Sequence, residues 1–442
     1  MNIPQIAIPR VVIIGGGFGG ISLAKKLAKQ EVQVVMLDKH NYHTFQPLLY
    51  QVSTGGLEPD SIAYPIRKIL SKYPNFYFRL ANVNKIDPDS KTLETDIGPL
   101  KFDYLVLATG SKTNFFGNKE IEVNSMIMKT VPEALNLRSL ILQNFEKALL
   151  IDSLDDQDAL INFVIVGGGP TGVELAGALA EIKKGILPKD YPDLDTRRAQ
   201  INIVQSSDRV LDGMSKEASE KAEEFLEKMG VNIWKDTLVT GYDGDVVKTN
   251  SDLTFRTATM IWAAGVEGDL IDGLNTSECL LPGNRLKVNE FNQVCHHKYI
   301  FAIGDIACMP SKERPRGHPM VAQVAIQQGS ALGDNLLKII DKKENLKPFV
   351  YKDKGTMATI GRNKAVVDLP RWKFQGFFAW FVWMFVHLLS LIGFRNRAVV
   401  FVNWVYNYIR FDRAARLIIR PYKKENRVHK IKKVKNIKVN AE

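Results

Sequence analysis

Two glycine patterns in the chain have the spacing of a phosphate cradle. Gly15-x-Gly17-x-x-Gly20 follows the apolar run that starts at Arg10 and precedes a helix-like stretch, Ile21 to Lys29; Gly16, Phe18 and Gly19 complete the turn. The first glycine permits a tight turn, the second lets backbone amides approach a pyrophosphate, and the third lets helix and strand pack closely. A helix N-terminus then stabilises the phosphate charge. Asp38 lies 18 residues beyond Gly20, at the end of the next apolar run, Val32 to Leu37. A carboxylate there accepts hydrogen bonds from ribose hydroxyls.

Gly167-x-Gly169-x-x-Gly172 repeats the strand–turn–helix context, but its next strand, Ile201 to Val204, ends in Gln205 instead of an acid. A carboxylate would favour the free 2′-hydroxyl of NADH and repel the 2′-phosphate of NADPH; a neutral Gln205 discriminates less, which leaves NADPH possible. Two dinucleotide sites in one chain point to a flavin and a nicotinamide, with hydride passing from one to the other. Asp305, in Ala302-Ile-Gly-Asp305, comes late enough for a last strand to re-enter the first domain and reach a flavin's ribityl chain; it also reads as a turn aspartate. The segment Asn41 to Gly55 has no cysteine, so thiol exchange shortly after the first fingerprint is excluded. The three cysteines, Cys279, Cys295 and Cys308, lack CxxC spacing. No metal centre is expected from them, a disulfide scaffold is excluded, and a reducing context is favoured.

The elements that must position these residues read as a duplicated strand–helix–strand unit. Tyr104 to Ser111, through Thr109-Gly110, closes the first copy, and Met260 to Gly265 closes the second. Val131 to Leu150 has helical periodicity, and the acidic Asp152 to Asp158 reads as a linker. The predicted fold class is α/β, with two Rossmann-type dinucleotide-binding domains and a C-terminal membrane-associating helical segment. The expected division is residues 1–120 and 296–345 for a discontinuous FAD domain, 121–160 for a connecting helix and linker, 161–295 for an NADH domain, and 346–442 for a C-terminal anchoring region.

Charge is unevenly placed. The chain has 442 residues and a net charge of +11, and all of that excess lies between Arg395 and Glu442, where 14 Lys/Arg face 3 Asp/Glu. The tail follows Gly376 to Phe394, 19 residues in which only His387 and Ser390 are polar. Such a run meets the length threshold of a spanning helix. Trp372, Trp380, Trp383 and Trp404 are interface-favouring residues, and the following arginines and lysines suit anionic headgroups. The aromatic run also suits a dimer core. Nucleic acid is disfavoured, because no duplex could bury the adjoining apolar run.

Taken together, the two fingerprints, the Asn41–Gly55 segment, Trp262-Ala-Ala-Gly265, Gly304-Asp305 and Ala322-Gln-Val-Ala-Ile-Gln-Gln-Gly329 resemble the type II NADH dehydrogenases, the single-subunit NADH:quinone oxidoreductases with a glutathione-reductase-like architecture. The resemblance covers nearly the whole chain. It implies FAD, NADH and a membrane quinone (menaquinone or ubiquinone), with hydride reducing the flavin, two electrons passing on to the quinone and two protons completing the quinol; a single possible spanning segment cannot form a polytopic proton channel, so no proton pumping is expected. By it, Gln323 and Gln327, one helical face at i and i+4, would contact quinone, and the backbone of Ala322 and Gln323 would face the flavin. Glu174 would serve electron and proton transfer, although a carboxylate near a helix N-terminus is also a plain dipole complement. Lys373 resembles a lysine near the flavin and quinone, and reads equally as a basic interfacial flank. The family also implies Val83 backbone at the adenine, Lys39 beside Asp38, a homodimer, and a monotopic position on the cytoplasmic face of the cell membrane. Two other readings remain open at this point: a flavin reductase serving a soluble ferredoxin-like acceptor, and a nucleotide-sensing membrane-bound interaction protein.

Overall fold

The computed structural model describes residues 1–274, 277–410, 412 and 415–423. Eight of the fourteen Lys/Arg of the basic tail lie outside the described residues. The chain divides into two compact units. Unit 1 comprises Met1–Thr44, Ala63–Lys112 and Val266–Lys354, and unit 2 comprises Phe45–Ile62, Thr113–Gly265 and Gly355–Glu442.

Unit 1 is built on a five-stranded sheet whose strands run, in spatial order, Ile300–Ala302, Tyr104–Leu107, Arg10–Ile14, Gln33–Asp38 and Phe76–Leu80. All four pairings are parallel. The central strands are apolar throughout because both faces are covered: Val11, Val12, Ile13, Val34, Val35, Met36 and Leu37 are all 0% exposed. The register decides what emerges at the carboxyl edge. Ile14 pairs with both Leu37 and Leu107, and Leu107 pairs with Ala302. Gly15, Asp38, Ala108 and Ile303 therefore leave the sheet side by side, at the edge where open α/β sheets bind ligands.

Unit 2 repeats the plan with four parallel strands in the order Val231–Trp234, Ile201–Val204, Phe163–Val166 and Thr259–Trp262. Val166 pairs with Val204 and with Trp262, so Gly167, Gln205 and Ala263 emerge together. The helix Val131–Ala148 starts in a capping box between Thr130 and Glu133. The acidic stretch expected as a linker is instead a short helix, Leu154–Ile161, whose first turn is capped by Ser153 and whose Asp155 and Asp156 sit where negative charge is favourable.

The division differs from the sequence expectation: residues 45–62 and 113–120, expected in the FAD domain, fall in unit 2, residues 346–354 fall in unit 1, and two further departures have a visible cause. Residues 266–295 belong with unit 1 and not with the second nucleotide domain, because the Arg285–Lys287 strand pairs with Ala307–Cys308. The C-terminal segment does not stand apart. Its three-stranded antiparallel sheet, Thr356–Thr359, Ala365–Asp368 and Lys373–Gln375, lies within unit 2. Gly177 makes this possible, since a Cβ there would stand 2.8 Å from the Gly361 amide nitrogen.

The long apolar run is broken. It forms one helix, Phe377–Ser390, and stops before Gly393 (φ +90°), after which Phe394–Arg410 forms a second. Fourteen residues span about 21 Å, short of the ~30 Å apolar core of a bilayer. No helix of the described residues is long and apolar enough to cross a membrane.

Candidate functional site

The two glycine turns are near copies in geometry. Gly15 and Gly167 have φ of +106° and +108°, a region closed to most L-residues. A Cβ on Gly20 would collide with the Gly15 carbonyl oxygen, and one on Gly172 with that of Gly167. Gly17 and Gly169 are the N-caps of the helices Phe18–Leu27 and Pro170–Gly185. Neither helix start has a side-chain cap, and a Cβ on either glycine would meet open space. Each helix thus presents its first amides and the positive end of its dipole to an uncrowded cradle, which fits a pyrophosphate.

The residues after the next strand are equally matched. The Gly16 amide donates to Asp38 Oδ2 at 2.5 Å, and the Gly168 amide donates to Gln205 Oε1 at 2.6 Å. Gln205 is therefore a positional substitute for the acid, buried, and its Nε2 donates to Ser207 Oγ at 2.5 Å. Its neutral amide leaves no formal charge to repel a 2′-phosphate. Gln205→Glu is expected to raise the NADH over NADPH ratio of kcat/KM by roughly tenfold or more, about 1.4 kcal/mol. Steady-state kinetics with both nucleotides measures it, and an unchanged ratio would show that discrimination lies elsewhere.

Around the first cradle the remaining expected residues take these positions. Lys39 pairs with Asp269 at 3.1 Å. Val83 opens a strand three residues after Leu80, the register partner of Asp38. Thr109 Oγ1 donates to the Asp269 carbonyl at 2.7 Å, and Gly110 takes φ +75°. Asp305 sits in a 3-10 turn directly after the Ile300–Ala302 strand and accepts from Ser111 Oγ at 2.5 Å. In unit 2, Gly265 has φ +146° and its carbonyl accepts from the Asn114 amide.

Three residues at the first cradle escaped the sequence reading. His43 is buried, and its Nδ1 donates to the Gly16 carbonyl at 3.0 Å, which leaves Nε2 as an acceptor with no protein partner among the described residues. Burial pulls its pKa down to about 4, so the ring is neutral. Gln328 is buried, and its Oε1 accepts from the Gly304 amide at 2.7 Å. Arg285 lies in the core and donates to the carbonyls of Asp305, Ala307, Arg316 and His318. It solvates the loop that carries Asp305. An orphaned acceptor beside the glycine turn, a cleared helix start and a carboxylate abreast of both fit an FAD whose pyrophosphate lies on the Phe18–Leu27 helix.

Gln323 and Gln327 lie on one face of the helix Ala322–Ile340, but both are engaged by the segment 351–354. Gln327 brackets the Lys352 backbone through both amide atoms, at 2.9 and 3.0 Å, and Gln323 Oε1 accepts from the Lys354 amide at 3.2 Å. Of the three glutamines in this run it is Gln328 that reaches the Asp305 turn. Lys373 sits exposed on an edge strand and pairs with Glu217 at 3.4 Å, as a surface flank would.

The remaining chemistry lies within unit 2. Glu174 is buried in the Pro170–Gly185 helix, with the Thr359 amide pointing at its Oε1 at 3.5 Å. Burial raises its pKa to about 8, against opposing pulls from the Thr359 amide and the Trp383 indole. The carboxyl therefore holds its proton at neutral pH. Trp383, expected at a lipid interface, is instead 1% exposed, because it projects from the inner face of its helix. His387 packs within the apolar segment, stacked on Trp383 at 4.1 Å, with its pKa pulled by burial to about 4.

Thr359 and Trp383 also line a cavity of about 130 Å³ with Ala178, Trp380, Trp404 and Tyr408. Ala178 is one helical turn from Glu174. Trp404 Nε1 donates to Gln51 Oε1 at 2.8 Å and Asn407 Nδ2 to the Gly56 carbonyl at 3.0 Å, which moors the last helix. The opposite faces of the two C-terminal helices carry exposed Phe377, Phe381, Phe385, Leu389, Phe401, Val405 and Ile409.

Residues 9–329 match the model of the pyridine nucleotide-disulphide oxidoreductase family, and residues 354–413 match that of the NDH2 C-terminal domain. The type II NADH:quinone oxidoreductase NdhA of Mycobacterium tuberculosis is 34% identical, over 90% of this chain and 87% of its own length. The chain belongs to the type II NADH:quinone oxidoreductases. The Haemophilus influenzae type II NADH:quinone oxidoreductase is 29% identical over 85% of this chain and 91% of that one. The NDH2 of Plasmodium falciparum, solved in complex with NADH, has the same fold: TM-score 0.85 at 20% identity, covering 93% of this chain and all of that one. Membership in this family accounts for both halves of the architecture, the paired dinucleotide cradles and the aromatic C-terminal helices.

Proposed function

We propose that this type II NADH:quinone oxidoreductase oxidises NADH and reduces a membrane quinone through FAD, without pumping protons. The observation that carries the reading is the matched pair of cleared glycine cradles in a chain that also carries a buried, protonated Glu174 beside an aromatic cavity. FAD, when bound, supplies a ring that accepts a hydride and releases two electrons to a quinone. The chain's own part is to hold and orient. Gly15 to Gly20, Asp38 and Asp305 hold FAD, with His43 supporting the glycine turn. Gly167 to Gly172 hold the nicotinamide dinucleotide, with Gln205 at its ribose. Glu174 holds a proton at its carboxyl oxygen for transfer to the reduced quinone, and the cavity lined by Trp380, Trp383 and Trp404 receives part of the quinone. Gln323 and Gln327 shape the adjoining backbone through their bonds to Lys352 and Lys354. The decisive experiment follows the flavin spectrum through addition of NADH and then of a menaquinone analogue. Bleaching followed by reoxidation supports the reading, whereas bleaching that only a ferredoxin reverses would replace it with the soluble-acceptor alternative.

The exposed aromatic faces of the two C-terminal helices support peripheral insertion into a lipid surface, in which the apolar rows enter the interface and neighbouring basic residues meet anionic headgroups. Each buried Phe contributes about 1.5–3 kcal/mol. Phe381→Asp combined with Phe401→Asp is expected to weaken binding to anionic vesicles by at least ~100-fold while leaving the melting temperature unchanged, since both side chains are exposed. Vesicle co-sedimentation at high salt reads this out, and equal recovery of variant and wild type would sink the insertion face.

A further inference from the structure

Folding assembles a ligand set that no spacing in the chain advertises. Cys279 ends the short 3-10 turn Ser277–Cys279, and Cys295 lies 16 residues later in the loop leading to the Ile300–Ala302 strand. Their Cα atoms are 5.8 Å apart and their sulfurs form a disulfide, a pairing the cysteine count did not suggest. His296 adopts φ +61°, and its ring turns back on the pair. One ligand atom from each of Cys279, Cys295 and His296 lies within 4.8 Å of the others. Glu278 Oε2 stands 3.2 Å from His296 Nε2.

We propose that in the reduced protein Cys279, Cys295 and His296 bind one divalent cation of the zinc class, with solvent completing its shell and the Glu278 carboxylate beside the His296 ring. Two thiolates with an imidazole select a borderline-soft metal over calcium or magnesium. The Glu278 carboxylate 3.2 Å from His296 Nε2 is the kind of outer partner that orients a ligating imidazole. The Cα separation suits two thiolates on one ion as well as it suits a disulfide. Cys279 is buried, whereas His296 and Glu278 are exposed, so the ion enters from solvent onto a fixed inner ligand. The disulfide is the oxidised, metal-free form of the site. With a peroxide as oxidant, the two thiolates lose two electrons and form the S–S bond, hydrogen peroxide takes those electrons with two protons and leaves as two waters, and the cation is released. The ion would tie the 295–298 loop to the 277–279 turn, as the disulfide does in the oxidised form.

The test uses the flavin-loaded enzyme, reduced with a phosphine under anaerobic conditions, desalted and titrated with cobalt(II). One cobalt per chain is expected, with a thiolate charge-transfer band and tetrahedral cobalt bands at the red side of the flavin spectrum; zinc displaces it, and one equivalent of hydrogen peroxide releases it. His296→Ala, a change at an exposed residue, should weaken cobalt binding roughly tenfold or more and leave NADH:quinone turnover unchanged. Cys279→Ser with Cys295→Ser should abolish binding. The proposal is overturned if the reduced wild type binds no more cobalt than the double-serine variant, or if His296→Ala and Glu278→Ala both bind as the wild type does. The two exposed-site variants carry the test should the buried cysteine change prevent folding.

Discussion

A Gly169→Asp chain should keep its flavin and its stability and lose its response to NADH, while a Gly17→Asp chain should be purified without flavin. Both glycines are helix N-caps in extended backbone (φ −70° and −74°), with open space where a side chain would go. Aspartate is a favoured N-cap, so each substitution adds a few tenths of a kcal/mol to helix stability. The same carboxylate, however, takes the place where a pyrophosphate must lie. Two unit charges about 4 Å apart at a partly shielded site repel by about 4 kcal/mol, which is on the order of 10²–10³-fold in affinity. KM for NADH in Gly169→Asp is therefore expected to rise by that factor, with the flavin content and melting curve intact. Flavin stoichiometry, thermal melting and NADH bleaching measured on both variants assign the two cradles. Loss of flavin from Gly169→Asp with retention in Gly17→Asp would reverse the assignment.

The second large effect falls on Glu174. Glu174→Gln should leave NADH bleaching within about twofold of wild type and slow quinone-dependent reoxidation on the order of 10²-fold, the usual weight of a positioned proton donor. The pKa of about 8 also predicts the profile: quinone reduction by the wild type declines as pH rises through 8, when the carboxyl loses its proton, and the variant shows no such limb. A second readout separates this from a packing defect. In the folded protein Glu174 stays protonated up to about pH 8, whereas in the unfolded chain it ionises near the ordinary glutamate value of 4.5. Between those limits the native state binds the extra proton, so this residue costs stability as pH rises, by up to about 1.4 kcal/mol per pH unit. Glu174→Gln should thus grow more stable relative to wild type between pH 5 and 8. Equal slowing of bleaching and reoxidation in stopped-flow traces would remove Glu174 from the proton path.

Much of this site was legible because its parts are local. Each cradle is a strand, a turn and a helix contiguous in the chain, and the acid or its substitute ends the very next strand. Periodicity and glycine spacing therefore locate Gly15 to Gly20, Asp38, Gly167 to Gly172 and Gln205. What escaped are contacts set by packing. Gln327 and Gln328 are adjacent and chemically identical, and only the rotation of the 322–340 helix sends one to Lys352 and the other to the Gly304 amide. Lys373 stood in a plausible place in the sequence, but its strand directs it to Glu217 on the surface. Trp383 read as a lipid-facing aromatic because its run is apolar on every side, and composition could not tell inner face from outer.

By itself, then, the sequence determined the family, the two glycine cradles, the neutral Gln205 in the place of the acid and the basic, aromatic C-terminus. Each of these depends on residue type and short-range spacing, which the backbone converts directly into geometry. Only the tertiary structure decided where the last quarter of the chain goes. It brings Thr359 to Glu174 across 185 residues, breaks the apolar run into two helices, and sets Cys295 against Cys279. The physical reason is burial: a carboxyl near pKa 8 exists only where long-range packing has removed water from around it, and no local pattern records that removal.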